Sequence, residues 1–110
     1  MSGSGGSYLG PSTPALSCTT LQFETQLASP KQHVVAQLNV NDVLQVAFDQ
    51  QGGQSNNQQV VVALWQGAVA GGIVDPNLHQ LRNCMSQGEI YAARVLRTGG
   101  GQVRVRVYHI

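Results

Sequence analysis

The C-terminal half of the chain reads as strand, strand, helix, strand, strand, and this order restricts the fold more than any other feature. The apolar stretches are Gln58–Trp65, Ala68–Val74, Glu89–Arg97 and Gln102–Ile110, with a helical pattern over residues 75–87 between the second and third. Gln66-Gly67 and Thr98-Gly99-Gly100-Gly101 stand where tight hairpins need them. Short strands joined this way pair antiparallel, and curling the sheet hides its edges. The expected fold class is therefore mainly β, a β-rich α+β domain. Its architecture is a small, partly open SH3/OB-like barrel of about five to six mostly antiparallel strands.

The periodicity assigns faces. Val103, Val105 and Val107 alternate with polar residues and mark the buried side of the last strand, and Tyr91, Ala93 and Val95 mark that of its partner. Val60–Trp65 is almost wholly apolar, as in a strand covered on both sides. Gly71-Gly72 inside a strand signals a bulge or the close approach of another backbone. Asp75-Pro76 predicts an N-cap and first-turn proline for the helix at 75–87, with Leu78, Leu81, Cys84 and Met85 inward and Gly88 as its stop.

Upstream, Thr20–Ala28 sets Leu21, Phe23, Thr25 and Leu27 against Gln22, Glu24 and Gln26, another one-sided strand. A short helical turn is read at 30–38 and a turn at Asn41-Asp42, from which a strand leaves at Val43. Residues 51–58 (QGGQSNNQ) read as a mobile polar loop. Residues 1–17 are rich in Gly, Ser and Pro and read as a disordered tail, leaving 18–110 as a single domain.

Charge is scarce. Charged residues make up 10% of the chain, against the usual ~25%. Such a surface favours a protein partner or self-association. The net charge of +1 excludes strong non-specific nucleic-acid binding of the polycationic kind. It hides an asymmetry, because Arg94, Arg97, Arg104 and Arg106 all follow Glu89 and no acid does.

Cys18 and Cys84 show neither metal nor redox spacing. They read as free thiols in a reducing compartment, with a disulfide between them left open. No apolar run approaches the ~20 residues of a membrane span, and no secretory pattern stands at the start, so a cytoplasmic protein with no membrane association is expected. His33, His79 and His109 are scattered, and no metal site, cofactor or catalytic residue is assigned.

One face carries a pointed expectation. Placing Val95 opposite Val103 sets Arg94 against Arg104 and Ala92 against Arg106. The outer side of the hairpin then gathers Arg94, Arg104, Arg106 and Tyr108. Guanidinium forks suit phosphate and a tyrosine ring suits a base, which suggests a nucleic-acid or phosphate platform. The bland reading is a solvated sheet face.

The strand Gln59–Leu64, the returning GAVAGGIVDP at Gly67–Pro76, the following helix and the G-x-x-Tyr-x-Ala-x-Val segment at Gly88–Val95 resemble the HIRAN domain over roughly residues 43–110. The resemblance implies a modified SH3- or OB-like barrel that binds single-stranded DNA ends. The family's asn-x-tyr-asp segment is replaced here by Ser55-Asn56-Asn57-Gln58, and no site residue carries over. The leading expectation is a non-enzymatic binding or accessory module acting through protein contacts, as a homo-oligomer or with a partner. The alternative is single-stranded nucleic-acid or nucleotide binding through the Arg/Tyr face.

Overall fold

The computed structural model describes residues 18–49 and 60–110. The tail expected at 1–17 and the polar loop at 51–58 lie outside them. The described strands are β1 (Gln22–Gln26), β2 (Val43–Phe48), β3 (Val61–Trp65), β4 (Ala68–Gly72), β5 (Tyr91–Gly99) and β6 (Gln102–His109). Two helices intervene, α1 (Gln32–Val35) and α2 (Leu78–Ser86), and residues 18–20 form a helical turn. All six strands join one antiparallel sheet in the order β1-β6-β5-β2-β3-β4. The small, open, mainly β barrel expected from the sequence is therefore the observed architecture.

Both tight turns follow from backbone chemistry. Gln66-Gly67 and Gly100-Gly101 hold positive φ in pairs, which gives the hairpins the twist their strands need. Asn41 also sits at positive φ, a conformation asparagine tolerates better than most residues.

The sheet curls because its two edges meet. Leu27 donates its N–H to the Val103 carbonyl, extending the β1–β6 pairing. Ala28 then faces the other way. Its N–H donates to the Gly72 carbonyl at 2.9 Å, and the Gly72 N–H donates to the Ala28 carbonyl at 2.8 Å. This isolated bridge ties β1 to β4, and Lys31 N–H to Ala70 O adds a third bond along the seam. The close approach anticipated at Gly71-Gly72 is real at Gly71, where a Cβ would stand 3.0 Å from Leu27 Cβ and 3.1 Å from the Ala28 carbonyl. A bulge accompanies it. Ala63 opposes Gly71 and Leu64 opposes Val69, leaving Ala70 as the extra residue.

Inside lie Phe23, Leu44, Val46, Val61, Ala63, Val95, Val103, Val105 and Val107, with Leu81 and Cys84 of α2 completing the core. Tyr91, Ala93 and Val95 of β5 and Val103, Val105 and Val107 of β6 are all buried, as the periodicity assigned them. The helix begins later than expected. Asp75 does not cap it: its carboxylate accepts from the backbone N–H and side-chain amide of Asn77, making a turn, and α2 starts at Leu78. Proline at 76 thus lies in the approach to the helix rather than in its first turn.

The two cysteines correct the free-thiol expectation. Cys18 and Cys84 form a disulfide, with Cα atoms 5.6 Å apart, and both residues are buried. A separation of 66 residues carried no local signal of this pairing. Tyr91, also fully buried, donates its hydroxyl to the Cys18 carbonyl.

Two outcomes test this account. Gly71→Ala forces a Cβ against backbone already committed to the seam and should destabilise the fold by about 1–3 kcal/mol in urea unfolding. Gly72→Ala meets nothing nearer than 3.8 Å and should stay within about 0.5 kcal/mol. Reducing the disulfide should lower stability by up to about 4 kcal/mol for a 66-residue separation, read as a shift of the urea midpoint with and without dithiothreitol.

Candidate functional site

The arginine face exists, but its register differs from the expected one. Val95 opposes Val105, Arg94 opposes Arg106, and Ala92 opposes Tyr108. The tight Gly100-Gly101 turn, with Gly99 opposite Gln102, sets the hairpin three steps from the expected register, and a bulge takes back one. Val95 pairs with Val105 and Arg97 with Arg104, so Leu96 is an extra residue on β5. The slip of two keeps Arg94, Arg104, Arg106 and Tyr108 on the outer side. The bulge turns Arg97 onto the same face, a residue the alternation alone would have placed inward.

Topology adds an acid. β1 lies beside β6 with Glu24 opposite Arg106, Gln26 opposite Arg104 and Gln22 opposite Tyr108. Glu24 Oε2 accepts from Arg106 Nη2 at 2.8 Å, and its Oε1 lies 3.6 Å from Arg104 Nε. All three side chains are about two-fifths exposed, so the ion pairs contribute little to stability. The hydrogen bond from Arg106 is the main reason the Glu24 carboxyl titrates below its ordinary range. Desolvation opposes it, and the Arg106 and Arg104 charges act with the hydrogen bond to keep the net shift downward.

Among the described residues, no carboxylate pairs with Arg94 or Arg97. Arg94 lies over the Tyr108 ring at 5.8 Å from its centroid, a diagonal cation–π contact across β5 and β6. The ring expected to accept a base is thus partly covered by a guanidinium, which any stacking ligand must share or displace.

Two hollows open on this face. One, of about 290 Å³, is bounded by Arg94, Arg106, Tyr108 and His109, with Thr19, Thr20 and Gln22 forming the opposite wall. The other, of about 160 Å³, lies at the hairpin end among Arg97, Arg104, Gln26 and Gln102. The wall of the first is the segment anchored by Cys18, which the disulfide and the Tyr91 hydroxyl both hold.

His109 also meets an acid that the sequence could not pair with it. Its Nε2 is 2.6 Å from Glu89 Oε1, and its ring stands edge-on to Tyr91 at 5.3 Å. The pair fixes the imidazole at the margin of the larger hollow. Burial pushes the Tyr91 phenol up, with the Glu89 charge adding to the effect. Among the described residues no group of three His, Cys, Asp or Glu is placed to hold a metal. No helix among them is long and apolar enough to cross a membrane.

Sequence reasoning found Arg94, Arg104, Arg106 and Tyr108 and missed Arg97, Glu24 and the Glu89–His109 pair. Glu24 was legible as a solvent-facing residue of its strand, but not as a neighbour of Arg106. In comparisons with known proteins, the chain matches no family model, no curated protein and no solved structure.

The Glu24 pairing has a pH signature. Its carboxyl is held below its ordinary value, so the pairing supports the fold above the ordinary carboxyl range and is lost as pH falls through the depressed value. In an NMR titration the Glu24 carboxyl should show a midpoint below that of a model glutamate, and Arg106→Ala should return it toward the ordinary range.

Proposed function

We propose that this protein is a non-enzymatic binding module whose ligand is single-stranded nucleic acid, held on the outer face of β1, β6 and β5. Of the two expectations drawn from the sequence, this is the one the geometry favours. The observation that carries it is the assembly of Arg94, Arg97, Arg104 and Arg106 around a single carboxylate, in a chain where charge is otherwise scarce. Directly opposed arginines, at 94/106 and again at 97/104, destabilise a sheet by mutual repulsion. A phosphate backbone relieves that repulsion by neutralising the guanidiniums, and each fork can grip a phosphate by two hydrogen bonds. Tyr108 supplies an aromatic surface with the Gln22 amide beside it, and the amides of Gln26 and Gln102 offer neutral hydrogen bonds beside Arg97 and Arg104. The reading agrees with the ligand class that the HIRAN-like segments imply.

A second reading, protein contact or self-association, draws on a different observation. Ile90 and Ile110 are 62% and 70% exposed and lie side by side, the Ile110 N–H donating to the Ile90 carbonyl at 3.0 Å. Large aliphatic side chains paired at the surface suit a protein neighbour better than water. A sedimentation mass independent of concentration up to the millimolar range would dismiss self-association.

A cytoplasmic location remains part of the proposal, and the disulfide weighs against it, since such bonds persist mainly in oxidising compartments. Thiol alkylation of protein drawn directly from a reducing cytosol decides the matter.

The test of the main reading is fluorescence anisotropy with a labelled single-stranded oligonucleotide. Binding should weaken with salt. Changing Arg104 and Arg106 together to Ala should cut affinity about tenfold or more and lower the salt slope by about two. Equal binding by the double variant would overturn the reading.

A further inference from the structure

We propose that the arginine face contains two separate phosphate subsites divided by Glu24, so that it selects an oligoanion bearing several phosphates over any single phosphate. This deepens the nucleic-acid reading and rests on the same face.

The first subsite is the hollow bounded by Arg94, Arg106 and Tyr108. The second is new. It exists because the Leu96 bulge delivers Arg97 opposite Arg104 at the hairpin end. There the two guanidiniums share a hollow with Gln26 and Gln102. Gln26 Nε2 donates to Gln102 Oε1 at 2.6 Å, which leaves the Gln102 amide N–H groups to donate to a ligand. The facing arginines at this end have only the long 3.6 Å contact of Arg104 with Glu24 to offset them. The uncompensated positive charge is therefore greatest around Arg97.

Glu24 stands between the subsites. Its carboxylate already occupies the position where a phosphate would bridge Arg104 and Arg106, and like any exposed glutamate it is ionised at neutral pH. A phosphate brought there meets like charge. Anions are consequently directed to either side. Arg104 and Arg106, at the near margins of the two subsites, are two residues apart on β6, roughly 7 Å along the strand. Separate phosphates of one extended single strand or one linear polyphosphate can reach both subsites. A lone phosphate gains only one subsite.

The experiment is calorimetric titration of the full chain with three probes: inorganic phosphate, linear inorganic polyphosphate of about ten phosphates, and a single-stranded oligothymidylate. The proteins are the wild type, Arg97→Ala and Glu24→Gln. Arg97 is exposed on the hairpin, so its removal should leave the fold intact. Arg97→Ala should lower affinity for polyphosphate about tenfold and weaken inorganic phosphate far less, since the subsite beside Arg94 and Arg106 still takes a single phosphate. Glu24→Gln should merge the subsites, raise affinity for inorganic phosphate about fivefold or more, and steepen the salt slope with polyphosphate by about one.

Undiminished polyphosphate binding by Arg97→Ala, or unaltered phosphate binding by Glu24→Gln, overturns the two-subsite proposal. Polyphosphate bound in the expected pattern without oligothymidylate binding leaves the subsites standing and removes nucleic acid as the ligand. Oligothymidylate bound equally by all three proteins does the reverse. Failure of the wild type to bind either polyanion overturns both.

Discussion

The two hydrogen bonds between Ala28 and Gly72 are the constraint on which the rest of this structure depends. They join the outermost strands of a six-stranded sheet, so a surface that would otherwise present two open edges becomes a curled barrel. They form only because Gly71 has no side chain where Leu27 and the Ala28 carbonyl press against it. Once the seam is set, β1 is held alongside β6, Leu27 is buried, and the alternation of β1 places Glu24 outward beside Arg106. The chemistry of the arginine face is thus tied to a contact on the far edge of β1.

Near the start of the described chain, a second device acts on the same strand. The disulfide to α2 and the Tyr91 hydroxyl both hold the Cys18 backbone, and the residues that follow it form one wall of the larger hollow. Sheet hydrogen bonds alone do not constrain a segment that precedes its strand. A covalent link to α2 does, and it does so from within the core, where both cysteines are buried. Core, staple and site wall are in this way one continuous piece.

The outer face shows what such rigidity permits. Opposed arginines repel, and the sheet tolerates them because burial of the valines on the inner side of β5 and β6 outweighs a repulsion screened by water. Glu24 pairs with two of the four guanidiniums, Arg104 and Arg106, without neutralising the face. The result is a stable scaffold with a positively charged surface whose arginines are held in fixed positions by a ladder, which is what a recurring, evenly spaced anion requires.

The sequence by itself determined the period-two faces, the two glycine hairpins, the single amphipathic helix and the crowding of arginine after Glu89. Each of these depends on residues close together in the chain, where side-chain alternation and turn conformation operate. The sequence was also enough to draw Arg94, Arg104, Arg106 and Tyr108 onto one side, because parity survives a register error of two. Tertiary structure alone decided the Leu96 bulge that recruits Arg97, the adjacency of β1 to β6 that supplies Glu24, the pairing of His109 with Glu89, and the Cys18–Cys84 bond. These join residues far apart in the chain or hinge on one unpaired residue. What selects them is the closure of the whole sheet, and no local pattern encodes that closure.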